Sequence, residues 1–316
     1  MSDRVITRRR AVVSGAAAAG VALTPWIARA QQAAELPLIT KPIPSSGEPL
    51  PVIGVGTNAY GVETAEEMAE LREVLARMPE LGGKVVDTAR VYGRSEEVIG
   101  ELVEDIGNRD SLFLATKTPI RGDVSDTAAV LDVSFRNLRT ERIDLMQVHN
   151  FNGLDVLIPA FERARDAGRI RYIGVSTSTD DQYDQMLAAI ERYPLDFIQV
   201  DYSIDNRTSA ERILPTAQER GIAVLTNVPF GGRRNAASLF SRVADRELPD
   251  WAAEFDASSW AQVFLKYVVS HPAVNAAIPG TTQMRHLLDN QAAGRGRLPD
   301  ADMRRRIERF WDSLDS

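Results

Sequence analysis

Residues 143–176 read IDLMQVHNFNGLDVLIPAFERARDAGRIRYIGVS. The two ends of this stretch, residues 143–149 and 170–176, are short and largely apolar, which is typical of parallel strands buried on both faces. Residues 156–167 between them alternate apolar and charged side chains with a helical period. A strand, a helix and a second strand in this order predict a βαβ unit, in which the two strands run parallel.

The same alternation of strand and helix extends over most of the chain. Predicted strands cover residues 51–57, 85–87, 111–117, 143–149, 170–176, 197–202, 222–228 and 276–279. Predicted helices cover residues 65–78, 96–106, 128–138, 156–167, 181–192, 210–220 and 284–293, with a longer connection after residue 228. Eight such units in about 250 residues have the size of a closed (β/α)8 barrel.

A doubly wound open sheet is the competing α/β fold. It usually carries a glycine-rich phosphate-binding turn after its first strand. Here residues 54–58 read GVGTN, which does not complete that pattern. We therefore predict a (β/α)8 TIM barrel over residues 51–316, preceded by a linker or N-terminal hairpin at residues 31–50. Residues 302–314 are expected to form a final helix outside the barrel.

The first thirty residues have the layout of a signal peptide. Three consecutive arginines at positions 8–10 precede a mildly apolar run, residues 11–26, and the small-x-small pattern Ala28-Arg29-Ala30 follows. Paired arginines before a weakly hydrophobic stretch indicate a twin-arginine signal, with cleavage after Ala30 and export to the periplasm by the export machinery. The alternative is an uncleaved membrane anchor, although the run is short for a span and is interrupted by glycines and a proline. No later segment is apolar enough to cross a bilayer.

Charge and composition exclude several classes of function. The chain carries a net charge of −7, and loss of the first thirty residues, with five arginines and one aspartate, would leave −11. Such an acidic surface repels nucleic-acid phosphates and anionic lipids. The absence of cysteine excludes zinc–thiolate sites, iron–sulfur clusters, thiol nucleophiles and disulfides. The three histidines are far apart in sequence and show no metal-ligand spacing, so no metal is expected.

Four polar residues follow three consecutive predicted strands. Asp87 ends the second strand and Tyr92 lies in the loop after it, while Lys117 ends the third strand and His149 ends the fourth. Each has an ordinary structural explanation: a helix cap, loop packing, a solvated charge and a satisfied interior histidine. Together they favour a site, because chemistry in a barrel gathers at the carboxyl ends of the strands.

These four residue types suit the reduction of a carbonyl group, which needs a proton for the developing alkoxide. A free phenol is a poor acid near neutrality, because its pKa is about 10. A buried ammonium from Lys117 would stabilise the phenolate of Tyr92, and Asp87 would hold the lysine. His149 could hydrogen-bond the substrate oxygen. The hydride must come from a cofactor, because no side chain supplies one.

The run VDTARVYGRSE at residues 86–96 resembles the signature of the aldo-keto reductase superfamily. Supporting segments are LATK at 114–117, DLMQVH at 144–149, IRYIGVS at 170–176, QVDYS at 199–203 and IPGTT at 278–282. The resemblance extends from about residue 36 to residue 295, in order and in strand placement. It implies a catalytic tetrad of Asp87, Tyr92, Lys117 and His149, with Tyr92 as the general acid in reduction, and a small-molecule carbonyl or alcohol as the substrate.

The resemblance also implies a cofactor, usually NADP(H), that binds without a Rossmann turn. Ser176 and Gln199 would hold its carboxamide, residues 229–232 would line its pyrophosphate, and residues 279–290 would hold its adenosine phosphate at a helix start. Gly56 and Thr57 would lie under the nicotinamide. The full set of implied cofactor residues is Gly56, Thr57, Ser176, Gln199, Pro229, Phe230, Gly231, Gly280, Thr281, Thr282, His286 and Asn290.

Two departures from the family pattern bear on the cofactor. Many members stack an aromatic ring on the nicotinamide after the seventh strand, whereas this chain has Asn227 there, and Tyr202 or Phe230 would have to substitute. Many also have a lysine and an arginine for the 2′-phosphate where this chain has Gly280 and His286, so NAD(H) stays an alternative to NADP(H).

Two other functions compete with an active oxidoreductase. The first is a non-catalytic, nucleotide-sensing or accessory protein on the same scaffold. The second is a barrel hydrolase that uses two carboxylates, such as Asp87 and Asp201, which would have to face each other. A monomer is the simplest expectation for the assembly, and the twin-arginine route would allow the folded barrel to load its cofactor before export.

Overall fold

The computed structural model describes residues 35–232 and 238–315. The predicted signal peptide, residues 1–30, lies outside the described residues. Among the residues that are described, no helix is both long enough and apolar enough to cross a membrane.

Within the described residues, ten strands form a small hairpin and a barrel. The hairpin pairs β1 (Thr40–Pro42) with β2 (Pro49–Pro51) in antiparallel register. The barrel strands are β3 (Val55–Gly56), β4 (Val85–Asp87), β5 (Phe113–Lys117), β6 (Ile143–His149), β7 (Ile170–Ser176), β8 (Phe197–Asp201), β9 (Ala223–Asn227) and β10 (Ala276–Ala277). These eight strands are parallel and hydrogen-bonded in sequence order. Parallel bridges join Ile53 to Ala277 and Gly56 to Gly280, so the last strand meets the first. This closure confirms the predicted (β/α)8 barrel.

Helices connect the strands and surround them. They are α1 (Ala65–Glu80), α2 (Ser95–Ile106), α3 (Thr127–Asn137), α4 (Leu154–Asp166), α5 (Tyr183–Arg192), α6 (Ile213–Glu219), α7 (Leu239–Val243), α8 (Trp260–Val269), α9 (Met284–Ala293) and α10 (Ala301–Asp312). Short 3₁₀ helices cover Arg109–Ser111, Asp180–Gln182, Thr208–Ala210, Asp250–Phe255 and Ser313–Asp315.

Two differences from the sequence prediction have clear physical reasons. The first barrel strand is shorter than residues 51–57, because Pro51 pairs with Thr40 in the hairpin. Helix α8 lies within the predicted long connection, and every residue from Ala261 to Val269 in it is buried. Its sequence WAQVFLKYVV is mostly apolar, with Gln262 and Lys266 as the main polar side chains, so it lacks the broad charged face of a surface helix.

The hairpin covers the amino-terminal end of the barrel. Ile43 and Leu50 from the hairpin pack into one buried cluster with apolar residues at the starts of the barrel strands. Phe113, Tyr172 and Phe197 form the aromatic part of that cluster, with ring centres 5.5–5.9 Å apart. Because this end is filled with apolar side chains, a ligand can enter the barrel only from the carboxyl end.

Candidate active site

The four predicted catalytic side chains line one cavity at the carboxyl end of the barrel. Asp87, Lys117 and His149 end the adjacent strands β4, β5 and β6, and Tyr92 projects from the loop between β4 and α2. The cavity has a volume of about 450 Å³. The parallel register of these strands therefore brings together residues that lie up to 62 positions apart in the chain.

A buried ion pair lies at the base of the cavity. The Lys117 Nζ atom lies 2.6 Å from Asp87 Oδ2 and donates a second hydrogen bond of 2.8 Å to the Thr88 carbonyl. Only 3% of each of the two paired side chains is exposed. Burial alone would lower the pKa of Lys117, but the charge of Asp87, the charge of Tyr92 and hydrogen bonds to both raise it. The lysine is therefore a permanent ammonium group at neutral pH.

Two glutamine side chains complete the coordination of Asp87. Gln199 Nε2 donates to Asp87 Oδ2 over 3.1 Å, and Gln147 Nε2 approaches Asp87 Oδ1 to 3.4 Å. Both glutamines are buried. A carboxylate held by a cation and two amides from different strands has a fixed orientation, and it fixes the direction of Lys117 in turn.

Tyr92 is placed beside the ammonium group by a loop that is anchored at both ends. Its ring centre lies 5.4 Å from Lys117 Nζ, and the side chain is half-buried. Thr88 and Ser95, on either side of Tyr92, share a hydrogen bond of 2.9 Å between their hydroxyls. Buried Glu96 accepts a 2.7 Å hydrogen bond from Thr116, the neighbour of Lys117, and pairs with Arg90 of the loop at 3.6 Å. The loop and the lysine strand are thus tied to the same carboxylate.

His149 is a neutral imidazole in this site. Burial and the nearby charge of Lys117 lower its pKa from 6.5 to about 3, although a hydrogen bond from the imidazole to the backbone of Thr118 opposes them. Its Nδ1 atom is buried and has no hydrogen-bond partner. A neutral imidazole carries one N–H group, so His149 can donate a hydrogen bond in the cavity without adding charge.

Eight of the twelve predicted cofactor residues line the same cavity as the tetrad: Gly56, Thr57, Ser176, Gln199, Pro229, Phe230, Gly231 and Gly280. The absence of a side chain at Gly56 matters, because a Cβ atom there would lie 2.8 Å from the Ile278 carbonyl oxygen. The first and last strands therefore approach closely under the cavity.

The other four predicted cofactor residues do not line it. Asn290 donates a 3.0 Å hydrogen bond to the Thr281 hydroxyl, which in turn donates to the Pro279 carbonyl over 3.1 Å. Thr282 is half-buried and His286 is exposed, beside the start of α9. Thr281 and Asn290 are buried and hold the turn that leads into α9, so of these four residues only Thr282 and His286 are accessible.

Of the two aromatic side chains that could replace the ring absent at Asn227, Phe230 lines the cavity and Tyr202 does not. Tyr202 lies outside the cavity, where its hydroxyl bonds to Tyr267 at 3.2 Å and accepts from Arg304 at 2.7 Å. Phe230 lines the cavity. Asn227 also lines the cavity, and its Nδ2 atom donates a hydrogen bond of 2.9 Å to the Thr177 carbonyl.

Gly232, predicted with residues 229–231 to line the pyrophosphate, also lines the cavity. Several other lining residues escaped prediction, and all are close neighbours of predicted ones: Asn58, Thr177, Ser178, Val228 and Ile278. Their position directly after or before a strand end is the one sequence feature that could have identified them. Val228 has a φ of 49°, a conformation that β-branched residues rarely adopt.

The carboxylate pair required for a hydrolase is not formed across the cavity. Asp201 is absent from the cavity lining and accepts hydrogen bonds from Tyr183 at 2.9 Å and Asn206 at 2.6 Å. In residues 35–232 and 238–315, no group of three or more histidine, cysteine, aspartate or glutamate side chains is placed to hold a metal ion.

The Aldo/keto reductase family model matches residues 52–311 of the chain. Aldo-keto reductase YhdN of Bacillus subtilis is 35% identical over 161 residues, which are 46% of this chain and 47% of that protein. The matched segment thus spans about half the length of this relative.

Solved structures match over a longer part of the chain. The aldo/keto reductase from Klebsiella pneumoniae in complex with NADP and acetate is 25% identical, with a TM-score of 0.68, over 84% of this chain and 93% of that one. The thermostable aldo-keto reductase Tm1743, in complex with the inhibitor epalrestat, is 27% identical, with a TM-score of 0.69, over 88% of this chain and 100% of that one.

The low pKa of His149 predicts that its imidazole stays neutral from about pH 8 to about pH 5. In the unfolded chain the group would bind a proton below about pH 6.5. Between that pH and about pH 3 the unfolded state holds more protons, so this residue lowers the free energy of unfolding as the pH falls. NMR titration of isotope-labelled histidine, assigned with His149→Asn, measures the pKa directly. The exposed His286 serves as an internal comparison, and a His149 signal that titrates between pH 6 and 7 would contradict the prediction.

Proposed function

The chain belongs to the aldo/keto reductase family, and we propose that it is an NADP(H)-dependent oxidoreductase that reduces an aldehyde or ketone or oxidises the corresponding alcohol. One observation carries the proposal: the ion pair of Asp87 and Lys117 at 2.6 Å, next to the phenol of Tyr92 and in the same cavity as His149. The substrate is a small molecule, because the cavity has a volume of about 450 Å³.

The residues around the cavity fit a nicotinamide dinucleotide. When it is bound, the reduced nicotinamide supplies the hydride, which no side chain can. Ser176 Oγ, Gln199 Oε1 and Asn227 Oδ1 are buried, lack hydrogen-bond partners and belong to cavity-lining residues, so the protein offers unused polar groups to a ligand. The related Klebsiella enzyme contains NADP, which supports NADP(H) over NAD(H).

The residues of the chain then divide the acid–base work. In reduction, Tyr92 donates its phenolic proton to the carbonyl oxygen as that oxygen becomes an alkoxide. Lys117 stabilises the phenolate that remains, and Asp87 keeps Lys117 charged and oriented. In oxidation of an alcohol the same phenolate accepts the proton.

His149 orients the substrate rather than transferring a proton. With a pKa of about 3 it is no general acid near neutral pH. Its neutral N–H group can hydrogen-bond the substrate oxygen, which holds the carbonyl at Tyr92 and directs its carbon toward the hydride donor. A neutral donor also avoids a second positive charge beside Lys117.

We further propose that the protein acts in the periplasm after twin-arginine export. Three arginines at positions 8–10, the weakly apolar run after them and the Ala28-Arg29-Ala30 motif support this proposal. Folding before export would allow the barrel to leave the cytoplasm with its cofactor bound.

Export is tested by replacing residues 8–10 with lysine, which keeps the charge but removes the guanidinium groups. We expect the wild-type protein in the periplasmic fraction, shortened by thirty residues and carrying bound dinucleotide. The lysine variant should remain at full length in the cytoplasm. Equal periplasmic amounts of both proteins would contradict the proposal, and an immunoblot with mass spectrometry distinguishes the outcomes.

The catalytic role of Tyr92 is tested with Tyr92→Phe, which removes only the hydroxyl. We expect NADPH-dependent reduction, screened over aldehydes, ketones and sugars, to fall by about 10²–10⁴-fold, since the general acid is lost. NADPH binding, followed by fluorescence quenching, should change little. Tyr193→Phe is the matched control, because the half-buried Tyr193 does not line the cavity and its hydroxyl donates a hydrogen bond to Asp155 at 2.6 Å.

Two results would count against this assignment. Wild-type activity in Tyr92→Phe would remove the phenol from the mechanism. Tight NADPH binding by the wild-type protein without turnover of any carbonyl substrate would favour the nucleotide-sensing alternative.

A further inference from the structure

Besides His149 Nδ1 of the tetrad, three further buried polar atoms of cavity-lining residues have no hydrogen-bond partner: Ser176 Oγ, Gln199 Oε1 and Asn227 Oδ1. All three residues line the cavity that holds the tetrad. A buried polar atom without a partner is costly, so a ligand that pairs with these atoms gains affinity that one without matching groups does not.

The three atoms come from neighbouring strands. Ser176 on β7 is directly paired with Gln199 on β8, and Asn227 on β9 is paired with Asp201, two residues further along β8. Asn227 reaches across the end of β8, because its Nδ2 atom bonds to the carbonyl of Thr177 at 2.9 Å. Its side chain therefore lies next to the end of β7, one residue from Ser176.

Both amides are held by their nitrogen ends. Asn227 Nδ2 is tied to the Thr177 carbonyl, and Gln199 Nε2 is tied to Asp87 Oδ2 at 3.1 Å. Neither amide can reverse its oxygen and nitrogen without losing its bond. The site consequently presents two fixed acceptor oxygens and one hydroxyl, Ser176 Oγ, that can donate.

This set is the complement of a primary carboxamide, which has two N–H donors and one carbonyl acceptor. A carboxylate would place negative charge against two carbonyl oxygens, and a ketone would leave both oxygens unpaired. Among the parts of a nicotinamide dinucleotide, only the nicotinamide ring carries such a group.

We propose that Asn227 is a specificity-determining residue that accepts a hydrogen bond from the carboxamide NH₂ group of the nicotinamide. The inference rests on the proposed function and extends it. An aromatic residue at this position would stack on the face of the nicotinamide ring. Asn227 instead hydrogen-bonds to the carboxamide group at the edge of the ring. The residue therefore makes binding depend on the amide substituent rather than on the area of the ring.

A cycle of two protein forms and two dinucleotides tests the proposal. The 3-acetylpyridine analogue of NADPH has a methyl group in place of the NH₂ group, so it keeps the carbonyl and lacks both donors. Dissociation constants are measured by calorimetry for NADPH and for the analogue, with the wild-type protein and with Asn227→Leu. We expect the wild-type protein to bind NADPH about tenfold more tightly than the analogue, and Asn227→Leu to reduce that preference by about three- to tenfold.

Asn108→Leu is the matched control. Asn108 also has a buried, unpartnered Oδ1 atom and an Nδ2 atom tied to a backbone carbonyl, that of Leu75 at 3.0 Å, but it does not line the cavity. This variant should keep the wild-type preference. Asn227→Ala truncates the side chain without adding bulk, and it should lose the preference for NADPH over the analogue as Asn227→Leu does. If the leucine variant does not fold, the alanine variant provides the same test.

The outcomes separate this inference from the proposed function. An unchanged preference in both Asn227 variants, or equal loss of affinity for both dinucleotides, would overturn the role of Asn227 and leave the oxidoreductase assignment intact. Failure of the wild-type protein to bind either dinucleotide would overturn the proposed function, and this inference with it.

Discussion

The site depends on one buried ion pair, between Asp87 and Lys117. Removing two charges from water is expensive, and the attraction between them offsets that cost only when the geometry is good and the remaining polar atoms are satisfied. Here the pair is 2.6 Å long, and Thr88 and Gln199 supply further hydrogen bonds. Loss of either partner would leave the other as an uncompensated charge inside the barrel.

The proposed catalytic roles of the other residues follow from that pair. In the proposed mechanism, the positive charge of Lys117 stabilises the phenolate that Tyr92 leaves after proton transfer. Burial, and to a smaller extent the same charge, lowers the pKa of His149, so that the imidazole stays neutral. Gln199 contacts both sides of the site, since its Nε2 atom bonds to Asp87 and its Oε1 atom is left for a ligand. The proposed acid–base centre and the proposed nicotinamide subsite thus share a residue.

The sequence was sufficient for the fold and for the grouping of the four polar residues, because both depend on local patterns. Buried parallel strands appear in the sequence as apolar runs, and the residues at their carboxyl ends meet at one edge of the sheet.

The sequence did not predict helix α8, because that helix is buried on all sides. It did not identify Asn58, Thr177 and Val228 as lining residues, because loops have no periodic pattern of apolar and polar residues. Thr281 and Asn290 bond to each other outside the cavity, which the sequence spacing does not reveal, and their predicted contact with the cofactor stays a prediction. The sequence cannot show that Asn227 Oδ1 lacks a partner, because this follows from the position of Nδ2, which bonds to the Thr177 carbonyl.

The most direct test of this account is a double-mutant cycle on the ion pair, with kcat for NADPH-dependent carbonyl reduction as the readout. Asp87→Asn and Lys117→Met are each expected to lower kcat by about 10²–10⁴-fold. Because both residues act through one charge beside Tyr92, the double variant should be no slower than the slower single variant. A double variant whose loss equals the product of the two single losses, or a Lys117→Met protein with wild-type kcat, would contradict the account.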